Sequence, residues 1–150
     1  MGLFGKSKKT SLPPGPPRNI GWVRSPKNRY YNFLNLEPEE VGLSGTSGVY
    51  VIWHAGLRPE WIYIDRSDDL ARAFQEIRAN REIIEFDRHG SLFVTWAEIR
   101  PEFQAGVVKY LNQVIPPIIG PLKDEDAEGG GDEDVDPISV FPPGVSSGDA

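Results

Sequence analysis

The chain has 150 residues, a net charge of −6 and no cysteine, which predicts one soluble, cytoplasmic domain and excludes a disulfide framework or a thiolate metal site. No apolar run reaches the roughly 18 residues that a membrane-spanning helix needs. Met1–Lys9 lacks the apolar segment and the cleavage site of a secretory signal.

The charge is distributed unevenly along the chain. Residues 1–40 carry a formal charge of +4, residues 41–120 carry −2, and residues 121–150 carry −8. Because proteins usually grip duplex nucleic acid with a basic face, the near-neutral middle disfavours a nucleic-acid partner. The acidic end cannot bury its charges, and we expect it to be a disordered tail over residues 121–150.

The chain is predicted to begin with a flexible, basic, proline-rich arm over residues 1–28. Its Ser11–Arg18 stretch favours extended polyproline II conformation. The next segment, Tyr30–Leu36, is rich in aromatic residues and is expected to pack on a domain edge, as a strand or as a helix. The folded domain is therefore predicted to cover residues 29–120.

Two strands and a helix form the first half of the predicted folded core. Val49–Trp53 and Trp61–Ile64 are β-branched and aromatic runs, which are typical of strands, and the residues between them have the length of a hairpin connection. Ser67 or Asp68 is a candidate N-cap for a helix whose apolar residues recur at helical spacing. These residues are Leu70, Ala73, Phe74 and Ile77.

A third strand and a second helix complete the pattern. Ile83–Phe86 fits either a helical extension or a short strand, Leu92–Trp96 fits a strand, and Gln104–Ile115 fits a helix that Pro116 ends. The order strand, strand, helix, strand, helix predicts a small α+β domain, in which an antiparallel sheet of about three strands is flanked by helices.

Two short motifs occur within this order of elements. Gly48-Val49-Tyr50 begins the first strand, Tyr63-Ile64-Asp65 ends the second, and Ser67…Leu70 leads into the first helix. With the Pro116–Gly120 ending, these motifs give about half of the chain a pattern that resembles the GIY-YIG nuclease superfamily. The resemblance implies a GIY-YIG-like fold with a hairpin face lined by the two tyrosines, and Asp65 replaces the glycine of the second motif.

The resemblance also implies where catalytic residues would lie. Members of that superfamily cleave phosphodiesters with the tyrosine face, an arginine from the first helix and a metal-binding glutamate from a later helix. Tyr50 and Tyr63 match the tyrosine positions, but Ala73 stands at the arginine position and Val107 at the glutamate position. Arg72 is one residue early, which turns it about 100° around the helix. The resemblance therefore implies a scaffold without its charged catalytic residues.

The leading hypothesis is a non-catalytic GIY-YIG-like module that requires no cofactor and binds a partner, a protein, through its hairpin face. Tyr50, Tyr63 and His54 are the candidate binding residues. Because His54 and His89 are the only histidines and have no second ligand near them in sequence, no metal site is predicted. No membrane partner is expected.

Two alternatives stay open. A divergent Mg²⁺-dependent endonuclease requires Arg72 and one of Glu98 or Glu102 to converge on Tyr50 and Tyr63. A non-catalytic nucleic-acid binder would use the N-terminal lysines, with exposed tryptophan or tyrosine side chains for stacking.

Two segments outside the predicted domain have the character of docking motifs. Pro13-x-x-Pro16-x-Arg18 fits a proline-rich ligand, and Ile138–Pro143 is an apolar island that follows the acidic residues. Each segment is interpreted as a docking motif for a protein partner or as a flexible linker.

Overall fold

The computed structural model describes residues 15–120 and 135–144, and it confirms the predicted α+β class. Its elements, in chain order, are β1 (Tyr31–Asn32), β2 (Gly48–His54), β3 (Glu60–Ser67), α1 (Leu70–Arg78), α2 (Arg81–Ile84), a 3₁₀ turn (Glu85–His89), β4 (Leu92–Ala97) and α3 (Pro101–Val114). In the described part of the chain, no helix combines the length and the apolar character that crossing a membrane requires.

The sheet has four antiparallel strands instead of about three, in the order β1-β4-β2-β3. The additional strand, β1, comes from the aromatic segment whose conformation the sequence left open. Tyr31 pairs with Val94, and the Phe33 N–H donates to the Leu92 carbonyl at 2.7 Å. These bonds pair backbone groups of β4 that a sheet edge would otherwise leave open.

Helices cover both faces of the sheet, so β2 is buried on both sides. Tyr50 and Ile52 lie in the apolar cluster under α1, whereas Val49 and Val51 lie in the cluster under α3. All four side chains are buried. The sequence of a strand that is buried on both sides is continuously apolar instead of alternating. The sequence of β2 has this character.

A β-bulge in the β2–β3 hairpin interrupts the alternation of side chains along β3. Ile52 pairs with Tyr63, but Trp53 then pairs with Trp61, so Ile62 is the extra residue. Ile62 and Tyr63 consequently both lie in the cluster on the α1 side, and Trp61 packs on the α3 side. The bulge decides which aromatic side chains of the hairpin meet.

The N-cap of α1 is Asp69, so the prediction of Ser67 or Asp68 is wrong by one or two residues. The Asp69 carboxylate accepts hydrogen bonds from the backbone N–H groups of Gly45 at 3.1 Å and Arg72 at 3.2 Å. These two bonds lower the pKa of Asp69. Ser67 supports the cap instead, because its hydroxyl accepts the Asp69 N–H at 3.0 Å.

The other helices differ from the prediction only at their ends. α3 starts at Pro101 instead of Gln104, because proline fits the first turn of a helix, where no N–H is needed. Gln104 is an anchor inside α3, and its amide donates to the Ile99 carbonyl at 2.7 Å and the Ser47 hydroxyl at 2.8 Å. Ile83–Phe86, which fitted a helix or a strand, is helical.

Parts of the predicted arm and tail pack on the domain and against each other. The Arg18 N–H donates to the Ser139 carbonyl at 3.1 Å, and the Phe141 N–H donates to the Arg18 carbonyl at 2.9 Å. The Trp22 indole donates to the Phe141 carbonyl at 2.7 Å, and Val140 is buried in the cluster under α3. The apolar island therefore has a docking partner within its own chain.

This packing differs from the expectation of an unstructured arm and tail. Burial of the island against α3 removes apolar surface from water, which favours the docked segment over a solvated one. The remaining parts of both predictions, including Pro13 of the proline motif, fall outside the described residues. Those parts are residues 1–14, 121–134 and 145–150.

Gly106 lies where the C-terminal segment passes close to α3. A Cβ at this position would lie 2.7 Å from the Asp136 carbonyl oxygen and 2.7 Å from the Ile138 side chain. Helix propensity alone predicts that Gly106→Ala stabilises the protein by about 1 kcal/mol. We expect the opposite sign, a loss of about 1–3 kcal/mol in the free energy of unfolding, because the site is already full. Chemical denaturation measures it.

The matched control is Gly120→Ala, whose Cβ would meet no atom within 4 Å. This variant should stay within about 0.5 kcal/mol of wild type. A Gly106→Ala protein more stable than wild type would contradict the docked position of residues 135–144.

Candidate functional site

Tyr50 and Tyr63 lie on adjacent strands of the hairpin and on the same face of the sheet. Their ring centroids are 6.1 Å apart, and both belong to the cluster under α1. Tyr50 is 3% exposed and Tyr63 is 1% exposed. The structure thus brings the two predicted tyrosines together, but it buries them below α1, where Phe74 packs edge-on against Tyr50 at 5.4 Å.

The two phenol hydroxyls are part of a hydrogen-bonded chain that ends at Asp65. The Tyr63 hydroxyl donates to Asp65 Oδ2 at 2.8 Å, and Tyr50 is hydrogen-bonded to Tyr63. Asp65 Oδ1 also accepts the Arg66 N–H at 2.8 Å. The pKa of Tyr50 is raised well above its ordinary value. The main cause is burial, followed by the negative charge of Asp65 and then by Tyr63 and Glu76. Tyr50 is therefore held protonated.

The charged residues of the endonuclease hypothesis do not converge on the tyrosines. Arg72 is exposed on α1, and the carboxylate of Glu102 on α3 pairs with Arg100 at 2.8 Å. Since α1 and α3 pack on opposite faces of the sheet, Arg72 and Glu102 lie on different sides of the molecule. Glu98 is exposed after β4. Within residues 15–120 and 135–144, no three histidine or carboxylate side chains group as a metal site.

His54, a predicted binding residue, is an internal brace of the hairpin. It is 2% exposed, its Nε2 lies 2.8 Å from Glu60 Oε1, and its Nδ1 accepts the Gly56 N–H at 3.1 Å. An acceptor at Nδ1 places the proton of the neutral ring on Nε2, which donates to Glu60. The ring also stacks on Phe86 at 6.3 Å and lies 5.9 Å from the ring of His89. His54 does not offer a ligand an open surface.

A row of half-buried aromatic side chains crosses the other face of the sheet near the hairpin tip. Trp53 on β2 pairs with Trp61 on β3 and with Phe93 on β4. The Trp53 ring lies 5.9 Å from Trp61 and 6.1 Å from Phe93, and Tyr30 meets it edge-on at 5.0 Å. We call Trp61, Trp53, Phe93 and Tyr30 the aromatic row; each is only partly covered by protein.

Sequence reasoning placed Trp53 and Trp61 in neighbouring strands without bringing them together as a site. The signal that could have indicated the row is the presence of one tryptophan on each side of the hairpin connection, since residues that flank such a connection face one another across the two strands. The bulge at Ile62 hides this signal, because simple alternation places Trp61 on the opposite face.

The aromatic row has a basic flank at its Tyr30 end. Residues 15–36 contain four cations and no acidic residue. The Arg24 guanidinium lies 4.7 Å from the centroid of the Tyr30 ring, and its Nη2 donates to the Tyr30 hydroxyl at 3.0 Å. The turn that follows presents Lys27 and Arg29, both exposed. Aromatic rings and positive charges are therefore adjacent on one surface.

Ionisation of Tyr50 gives a prediction in alkaline solution. In the unfolded chain Tyr50 loses its proton near its ordinary pKa, about 10, whereas burial keeps it protonated in the folded protein. The unfolded state therefore binds fewer protons above that pH, and stability falls as the pH rises. We expect Tyr50→Phe to flatten this decline by up to about 1.4 kcal/mol per pH unit. Denaturant unfolding at a series of alkaline pH values measures the slope, and an unchanged slope would contradict the burial of this phenol.

Comparison of the chain with protein-family models, with curated proteins and with solved structures gives no match of significance in any of the three.

Proposed function

We propose that the chain is a non-catalytic, GIY-YIG-like binding module that acts in the cytoplasm through a protein partner. The observation that carries the proposal is the closed state of the tyrosine face: both phenols are buried, and the Tyr63 hydroxyl is bound to Asp65. The order of elements and the two tyrosines on one face of the hairpin support the resemblance to the superfamily.

Phosphodiester cleavage needs a group that readies a water, a cation that takes up developing charge, and usually a carboxylate-bound metal. On this face the charges that act on Tyr50 are those of Asp65 and Glu76, and both repel a phosphate. A phenol with a raised pKa is also a poor base at neutral pH. The raised pKa of Tyr50 and the negative charges beside it thus oppose the first two requirements of the reaction, the base and the cation.

The divergent endonuclease is the weaker reading. It would need the exposed Arg72 and the Arg100-paired Glu102 to act together across the sheet. Mg²⁺ would supply charge neutralisation to such an enzyme, but in the described residues Glu102 belongs to no group of three side chains that could hold a metal ion.

A cleavage assay tests the proposal. Single-stranded, duplex and branched DNA are incubated with the full chain and Mg²⁺ or Mn²⁺, in parallel with Tyr63→Phe, Glu102→Gln and a chelator control. We expect no cleavage that depends on any of these residues. Metal-dependent cleavage by the wild-type chain that is lost in folded Tyr63→Phe would overturn the proposal. Such a loss would show that the Tyr63 hydroxyl takes part in catalysis.

A further inference from the structure

We infer that residues 135–144 are seated in a peptide-binding groove, and that the partner of the module is a protein whose extended, β-branched segment displaces them. The walls of the groove are residues 18–22 of the arm and the N-terminal part of α3. We call residues 135–144 the cis segment. The inference rests on the proposed binding function and names its surface and the chemistry of its partner.

The arm holds the cis segment by its backbone, as an added strand is held at the edge of a sheet. Arg18 forms a parallel bridge with Val140. The Arg18 N–H donates to the Ser139 carbonyl, and the Phe141 N–H donates to the Arg18 carbonyl. The Trp22 indole donates to the Phe141 carbonyl at 2.7 Å. Main-chain bonds of this kind give an extended peptide its affinity, and side-chain pockets give it specificity.

The α3 side of the groove supplies the pocket that gives specificity. Gly106 has no side chain, and a Cβ there would lie 2.7 Å from the side chain of Ile138. The Ile138 N–H donates to the Gly106 carbonyl at 3.0 Å, and Lys109 Nζ donates to the Val135 carbonyl at 2.9 Å. Val140, two residues further on, is 1% exposed. The groove therefore fits an extended segment with β-branched residues at positions i and i+2.

The cis segment leaves part of the groove open. Beside it lies a cavity of about 680 Å³, whose walls include Pro17, Ile20 and Phe103. Residues 137–140 of the cis segment also line this cavity, and Ser139 has the smallest side chain among them. A partner segment with a larger apolar side chain at the Ser139 position would bury more apolar surface than the cis segment does.

Competition with the cis segment favours a different protein over a second copy of the chain. Because the cis segment belongs to the same molecule, it competes at an effective concentration on the order of 1 mM. A second copy would bring the same segment with the same contacts, but only at the concentration of the protein itself. A partner whose side chain fills the cavity gains affinity, which offsets the advantage of the tether.

A labelled peptide of residues 135–144, titrated with the full chain and followed by fluorescence anisotropy, tests the inference. The full-chain variant Val140→Asp places a charge at a buried position of the cis segment, which unseats it. We expect this variant to bind the wild-type peptide at least about tenfold more tightly than the wild-type chain does, because the tethered competitor is removed. The control Val114→Asp, at an exposed position near the end of α3, should bind as wild type.

Changes in the groove and in the peptide give the second arm of the experiment. In the Val140→Asp background, Trp22→Phe should weaken peptide binding about two- to tenfold, because it removes one hydrogen bond and keeps an aromatic ring. A peptide with Ser139→Leu should bind about three- to tenfold more tightly than the wild-type peptide, and a peptide with Val140→Asp should not bind. Equal affinities of the wild-type and Ser139→Leu peptides would contradict a larger side chain in the partner.

Cleavage of the tether keeps the inference testable if Val140→Asp does not fold. A recognition site for a sequence-specific protease is placed in residues 121–134 of the wild-type chain, which lie outside the described residues. After cleavage, the C-terminal fragment should exchange with the labelled peptide. In the uncleaved chain the peptide should compete poorly, because the cis segment is still tethered.

Other results would overturn the inference. If folded Val140→Asp and the cleaved chain both fail to bind the peptide, the cis segment is a fixed part of the fold and not a seated ligand. If the wild-type chain forms dimers that exchange the segment as protein concentration rises, the groove belongs to a second copy. None of these results produces DNA cleavage, so failure here is distinct from failure of the non-catalytic proposal.

Discussion

Replacing Phe74 with alanine is expected to lower the free energy of unfolding by about 3–5 kcal/mol, because it removes the ring at the centre of the core under α1. Phe74 is 0% exposed. Its ring lies 5.6 Å from Phe33, 5.4 Å from Tyr50 and 6.0 Å from Trp96. The cavity would therefore open beside the tyrosine hairpin, and chemical denaturation measures the loss.

The matched control is Phe103→Ala on α3, where the side chain is 44% exposed. It should cost less than about 1 kcal/mol, since little apolar area is removed from the core. Equal losses for the two variants would contradict the placement of Phe74 at the junction of helix and sheet.

The second large effect is expected for Arg78→Met. Arg78 Nη2 donates to the carbonyls of Phe33 and Leu36, and the guanidinium lies 5.3 Å from the centroid of the Phe33 ring. Methionine keeps an apolar stem but leaves both carbonyls without their donor. We expect a loss of about 2–4 kcal/mol, because unsatisfied buried acceptors each cost about 1–3 kcal/mol.

Arg72→Met on the same helix is the control, because Arg72 is exposed. Its stability should stay within about 0.5 kcal/mol of wild type. Hydrogen exchange adds a positional readout: in Arg78→Met, faster exchange should be concentrated in residues 33–36, which the guanidinium anchors. Uniformly faster exchange along the chain would instead indicate a general loss of stability.

Most elements of the fold could be predicted from the sequence because neighbouring residues determine them. The apolar run of β2, the helical spacing from Leu70 to Ile77 and the stop at Pro116 each depend on local backbone conformation. Two features that distant residues decide were left open or missed. Tyr31–Asn32 becomes a strand only because β4 offers an open edge, and Val140 is buried only because α3 and the arm receive it.

The candidate site could be predicted only in part, for a related reason. The resemblance implied that Tyr50 and Tyr63 line one face of the hairpin, and the structure places both in the cluster under α1. Their burial depends on α1 and Phe74 closing over that face. The aromatic row escaped prediction because it depends on the bulge at Ile62, which no local propensity in the sequence indicates.

Nitration of the folded protein with tetranitromethane tests most directly whether the hairpin hydroxyls are closed to solvent. The reagent attacks accessible phenols, the chain has no cysteine to compete for it, and its five tyrosines can be followed separately by peptide mass spectrometry. We expect half-buried Tyr30 and Tyr110 to be modified, and Tyr50 and Tyr63 to react only after unfolding. Nitration of Tyr50 or Tyr63 in the folded protein as fast as Tyr30 would contradict a sealed, non-catalytic hairpin.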